Sequence, residues 1–272
     1  MKFNTRPIDT ASRARTILLM SAVALWSLPG VAQPRPERLA DKDVKALIDQ
    51  VDEGRDKFEG NLEGDFKGSI QRGPAGEVKV SGALQDYQDS TQKLKDRFTL
   101  EYSAAAEVAT VLRQSMAIDR FMQAAKPSMK GRSEWDRQTV YLKQLAQAYG
   151  ATFPFADGSA VRRMNDKAVA AVAVDIAEAA DRFKSDVNKV TTLAKPDKDA
   201  AKKDIDLLIK QANAVKSRTS DGKPATGEMR QLVEQVSKVQ TFLAAHPIPT
   251  MAHWQSVNAG LGTLQQAFGL AP

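Results

Sequence analysis

WDRQTVYLKQLAQAYG at residues 135–150 and WQSVNAGLGTLQQAFG at residues 254–269 decide how this chain is read. Trp135 and Trp254, Leu142 and Leu261, Leu145 and Leu264, Gln147 and Gln266, Ala148 and Ala267, Tyr149 and Phe268, and Gly150 and Gly269 coincide at a single offset of 119. In both stretches apolar residues recur at steps of three and four or their sum, the period of a helix with one buried face. The closing glycine suits a C-terminal stop. Upstream, Phe121-Met-Gln-Ala-Ala-Lys-Pro127 answers Phe242-Leu-Ala-Ala-His-Pro247 with one residue fewer. Further up, Val51-x-Glu53-x-x-Asp56-Lys57-Phe58 answers Ile176-x-Glu178-x-x-Asp181-Arg182-Phe183. Collinear matches of this kind predict an internal duplication. The fold expected is all-α: an elongated helical bundle of two tandem, similar three-helix halves, 41–150 and 163–272, joined by a linker at 151–162. A duplicated Trp is expected to be a core residue in each half, with similar costs of truncation.

The rest of the chain fits that frame. Asp41 opens a helix striped by Val44, Leu47, Ile48, Val51, Phe58 and Leu62. Six glycines then fall between Gly60 and Gly82, and Gly-Pro-Ala-Gly at 73–76 is turn chemistry. Residues 66–82 read as a Gly-rich loop or a small β-hairpin. From Ala83 a stripe through Leu84, Tyr87, Leu94, Phe98, Tyr102, Val108, Leu112, Ile118 and Met122 meets no Gly or Pro until Pro127. It predicts one unbroken helix of about 40 residues, or about 60 Å. In the second half a helix from near Ser159 to Val190 is rich in alanine and is expected to be central. Lys195-Pro196 opens the next, which Asp221-Gly222 interrupts before Thr226, and a last helix spans about Thr250 to Phe268.

The first 32 residues have the build of a secretory signal. Lys2, Arg6, Arg13 and Arg15 precede an apolar run from Ile17 to Leu28, and Gly30 and Ala32 suit cleavage after Ala32. At about 1.5 Å per residue that run reaches only about 18 Å, short of a hydrocarbon core of about 30 Å. Residues 33–40 form a Pro-rich lead-in. The localisation expected is periplasmic or secreted, with no membrane span in the mature chain. The chain has no cysteine, so neither a disulfide nor a lipid-bearing cysteine contributes. Four of the 39 basic and one of the 33 acidic residues belong to the signal, so the remainder carries a net charge of +3. Its charges alternate in sign along helices, which excludes a one-sided nucleic-acid face.

A search for chemistry returns no catalytic, cofactor or metal residue. His246 and His253 are the two histidines. With no cysteine they would need Met251 or carboxylates to approach the three or four ligands of a typical zinc site, and the position matching His246 is Lys126. Ser90 and Lys93 have the spacing of a penicillin-recognising Ser-x-x-Lys but fall on an amphipathic helix, without a Lys-Thr-Gly strand. Ser220-Asp221-Gly222 adds nothing to it. Gly60, Gly64 and Gly68 are too polar in context for helix pairing in a membrane. Asp52 and Asp56 lack a declared pocket, and the recurrent Asp-[Lys/Arg]-Phe reads as a core Phe preceded by exposed charges. The function expected is that of an exported non-enzymatic helical-bundle protein, a binding or scaffold module with an unknown protein or envelope partner. Its rivals are a self-associating structural component of the envelope, and an enzyme or cofactor carrier with a site between helices.

Overall fold

A computed structural model describes residues 37–73, 76–156, 158–249 and 251–270. The expected signal at 1–32 and the first part of the lead-in lie outside the described residues. The described residues are mostly helical, 72% against about one third in ordinary globular proteins. In order come α1 (Asp41–Asn61), α2 (Gly64–Lys67), β1 (Ile70–Gly73), β2 (Gly76–Lys79), α3 (Val80–Arg97), α4 (Ala105–Ala124), α5 (Arg132–Ala148), α6 (Asp166–Lys189), α7 (Lys195–Ser220), α8 (Thr226–Ala245) and α9 (Ala252–Ala267). No helix among the described residues is long and apolar enough to cross a membrane.

Two separate hydrophobic clusters organise these helices. The first runs from Val44 to Phe155 and the second from Val169 to Phe268. In the first, α1 packs on α3 and α5, α3 on α4, and α4 on α5. In the second, α6 packs on α7 and α9, α7 on α8, and α8 on α9. Each bundle therefore has four main helices, which corrects the expectation of three.

The extra helix arises where the stripe from Ala83 was expected to continue. The chain leaves the helix at Phe98, turns, and re-enters at Ala105 after Ala104 adopts a left-handed φ of 51°. Thr99 makes the turn without Gly or Pro. Its N–H and C=O exchange bonds with Tyr102 at 3.0 and 3.2 Å, and its Oγ1 accepts from Tyr102 N–H at 3.0 Å. A Thr hydroxyl offering the backbone such a partner competes directly with the helix. Folding back also buries more. An unbroken rod would carry Val108, Leu112 and Ile118 away from Leu84, Tyr87 and Leu94, whereas the antiparallel pair puts all six into one core.

Within 66–82 the hairpin alternative holds for the strands, while 66–67 end α2 and 80–82 begin α3. β1 and β2 pair antiparallel in the register Ile70↔Lys79, Gln71↔Val78, Arg72↔Glu77 and Gly73↔Gly76. Gly76, at φ 108°, takes a conformation that L side chains rarely adopt.

Both Trp helices end alike. Gly150 (φ 69°) bonds Gln147 O at 3.1 Å while Ala151 N–H reaches Ala146 O at 2.8 Å. Gly269 (φ 62°) bonds Gln266 O at 3.2 Å while Leu270 N–H reaches Gln265 O at 2.9 Å. This is the double bond of a glycine-terminated helix. Beyond α5 the chain does not leave the core as a free linker, because Phe153 and Phe155 are buried in the first cluster.

Candidate functional site

The lead-in turns out to be structural from Arg38 onward. Arg38 and Arg163 precede α1 and α6 at the same distance from Asp41 and Asp166, and each reaches across to the other bundle. Arg38 donates to Asp166 Oδ1 at 2.6 Å and to Met164 O at 2.8 Å. Arg163 donates to Asp41 Oδ1 at 2.8 Å and to Leu39 O at 2.7 Å. The aspartates then serve as each other's helix caps. Asp41 N–H bonds Asp166 Oδ2 at 2.8 Å, and Asp166 N–H bonds Asp41 Oδ2 at 2.7 Å. First-turn N–H groups have no partner within their own helix, and a carboxylate there also meets the positive end of the helix dipole. Arg38 lies over the Phe268 ring at 5.4 Å, and Arg163 over Tyr149 at 5.9 Å. The four charged side chains are buried, down to 2% and 1% exposed for Arg163 and Asp41. Burial, and after it the charge of Arg163, push the Arg38 guanidinium below its usual pKa against the opposing pull of Asp166.

A second polar group runs along α1, α3 and α5 inside the first bundle. Arg55 donates to Thr91 Oγ1 at 2.9 Å and Gln88 O at 3.2 Å, and contacts Asp52 and Asp56. Its 2.8 Å approach to Asp52 Oδ1 is an ion pair without a hydrogen bond. Lys95 donates to Asp52 Oδ2 at 2.8 Å. Gln138 donates to Val51 O at 2.8 Å and Tyr87 Oη at 2.5 Å, and burial raises the Tyr87 pKa. The carbonyl of Gln138 lies over Gly54, where an added Cβ would stand 2.1 Å away. Offset by 125, the positions of Asp52 and Arg55 are the buried Ala177 and Ala180. Asp52 thus belongs to an ion network, and Asp56 completes it from the exposed side.

A cleft of about 210 Å³ opens beside Trp135, between α4, α5 and the segment after α5. Its floor is Asp119, buried at 6% exposed. Trp135 Nε1 donates to Asp119 Oδ1 at 3.0 Å and Gln123 Nε2 to Oδ2 at 2.6 Å. Met122, Arg132, Asp136, Thr139, Lys143, Phe153 and Pro154 complete the lining. Asp119 corrects the reading of Asp-[Lys/Arg]-Phe, since its carboxylate is buried against a tryptophan. Its position one helical turn from Ser115 and Met122 on the inward stripe was the available signal.

The sequence candidates disperse. Ser90 returns its hydroxyl to Tyr87 O at 2.9 Å and Lys93 is exposed. His246 Nδ1 stands 3.2 Å from Phe242 O, as expected of a helix-end histidine. His253 instead pairs with Asp186 at 2.7 Å. No group of three or more metal-ligating residues converges among the described residues. Gly60 is the penultimate residue of α1, Gly64 opens α2 and Gly68 caps its end, so the three do not line one helix. Comparisons with family models, curated proteins and solved structures found no match to this chain.

Proposed function

We propose that this chain is an exported, non-enzymatic helical protein, built by tandem duplication, that serves as a binding or scaffold module for a protein partner. The observation that carries the binding reading is the hairpin. All four residues of β2 are exposed, and Ile70 and Val78 are 43% and 37% exposed. The corresponding α6–α7 connection, 190–194, has no such insert. An element that adds nothing to either core yet presents exposed strand edges and two β-branched side chains to water offers a surface for contact with a partner. The Ile70→Asp/Val78→Asp double variant should melt close to the parent protein, as surface changes usually do. Quantitative proteomics of material co-purified from the native envelope should show one partner lost with it. An unchanged partner set would remove the hairpin from the reading.

Duplication is supported by the reciprocal junction. The offset of 125 that relates Val51 to Ile176 also relates Arg38 to Arg163 and Asp41 to Asp166, and the four meet about a local two-fold. Among the described residues each outer edge of the two-stranded sheet is unpaired, which favours self-association as a second reading. Light scattering separates the two: a dimer that dissociates in the double variant puts a second copy on the hairpin.

Export rests on the basic, apolar and small-residue regions of 1–32. Intact-mass measurement of the native protein should place the N-terminus at Gln33. A full-length, membrane-embedded species would overturn it.

A further inference from the structure

The cleft beside Trp135 carries more charge than its packing role requires. A tryptophan N–H needs only a neutral acceptor, yet here it meets a buried carboxylate, and an uncompensated buried charge carries a large desolvation penalty. Arg132 turns away to Asp136 at 3.3 Å and to the Met122 carbonyl. Among the described residues no lysine or arginine nitrogen stands within 4.0 Å of Asp119. Each Asp119 oxygen has one hydrogen-bond donor and keeps a second lone pair.

The second copy shows which parts are structural. It keeps the Trp, the leucines, the aromatic and the glycine, but Arg132 is answered by Met251, Asp136 by Gln255 and Lys143 by Gly262. Asp119, two before Phe121, is answered by Gln240, two before Phe242. That glutamine is exposed and gives its amide to Asn258 Oδ1 at 3.1 Å. All four charges are dispensable to a bundle of this kind and are found together only around this cleft. They comprise two carboxylates and two cations, of which Arg132 and Asp136 already pair at 3.3 Å, so a zwitterion meets both Asp119 and Lys143 where a ligand of one sign would meet only one of them. The volume lies below the 300–1,000 Å³ usual for drug-sized ligands. Met122, Phe153 and the Trp135 edge supply an apolar wall.

We infer that this cleft binds a small apolar α-amino acid, its ammonium on Asp119 and its carboxylate on Arg132 and Lys143. The inference goes beyond the hairpin reading and does not depend on it. Isothermal titration calorimetry of the mature protein tests it with alanine, valine and leucine. 3-Methylbutylamine and 4-methylpentanoate are the probes lacking one charge. At least one amino acid should bind, and both single-charge probes should bind about tenfold more weakly or less, the weight of a lost charged hydrogen bond. Asp119→Asn keeps an acceptor for the Trp135 N–H and should lose the amino acid while retaining its helical spectrum. Should that variant fail to fold, Lys143→Gln at an exposed position carries the test and should weaken binding by about the same factor. No heat with any of the three amino acids, equal binding of the amine alone, or wild-type affinity in a folded variant would each overturn the assignment.

Discussion

Asp41→Asn should lower the melting temperature by roughly 10 °C, and Asp166→Asn should do nearly the same. Each removes one charge from the junction and leaves an arginine buried without its partner, Arg163 in the first case and Arg38 in the second. Breaking a buried ion pair from one side costs about 3–5 kcal/mol, and a chain of this size loses about 2–4 °C per kcal/mol. The partner's cap is weakened as well, because the same carboxylates hold the Asp166 and Asp41 N–H groups. An Asn retains an acceptor there, so most of the loss is electrostatic. The symmetric wiring predicts similar costs, and the Asp41→Asn/Arg163→Met double variant should recover much of the single loss, since a buried pair replaced as a unit is often nearly neutral. Scanning calorimetry offers a second readout. The bundles have separate cores, and besides the junction the contacts between them include Ser103 to Arg163 O at 3.0 Å and Asn165 to Glu101 O at 2.8 Å. Cutting the junction should therefore resolve one unfolding transition into two. A single Asp variant melting within about 2 °C of the parent, where the pair predicts several degrees, would show that the junction does not couple the bundles.

Much of this fold was legible because helical burial is periodic. Val44, Leu47, Ile48, Val51 and Phe58 fall every three or four residues and all are buried on α1. The glycine stops after α5 and α9 follow from a local rule about left-handed backbone. The break at Phe98–Ala104 was not legible in the same way. Thr99 holds the turn after that helix by accepting the Tyr102 N–H on its own hydroxyl, and the apolar stripe runs through the turn with Phe98 buried and Tyr102 40% exposed. Periodicity sees only the side-chain spacing, which the turn happens to preserve. The junction was hidden for another reason: Arg38 and Asp166 are 128 residues apart, and neither has a local partner that spacing reveals. The offset of 125, carried upstream from Val51 and Ile176, would have found Arg-x-x-Asp-Lys-x-Val at both 38–44 and 163–169. Charged residues at the start of a helix read as solvated surface until the other helix start is placed beside them.

Trp135→Ala should cost more than Trp254→Ala, although a duplication alone would assign the two residues one role. Both are buried and packed on the matching phenylalanine, with ring centroids 5.0 Å apart for Phe58–Trp135 and 5.2 Å for Phe183–Trp254. Truncating a large buried aromatic costs about 3–5 kcal/mol, so each variant should lose roughly 10 °C or more. Trp135 has two further partners. Tyr87 meets it edge-on at 6.2 Å, worth about 0.5–1.5 kcal/mol beyond burial. Asp119 takes its N–H, and removing that donor leaves a buried carboxylate oxygen short of a bond, at about 1–3 kcal/mol. The position corresponding to Asp119 in the second bundle is Gln240, whose amide is spent on Asn258. Trp135→Ala should therefore melt several degrees below Trp254→Ala. The phenylalanine variants isolate the cause, because Phe keeps most of the ring and loses only the N–H. Trp135→Phe should still be destabilised relative to Trp254→Phe, and Asp119→Asn should shrink that gap by removing the stranded charge. Equal melting temperatures for the two alanine variants, with Trp135→Phe matching Trp254→Phe, would mean that the Asp119 bond contributes nothing to stability. Asp119 would then be held in its buried position by the surrounding helices alone.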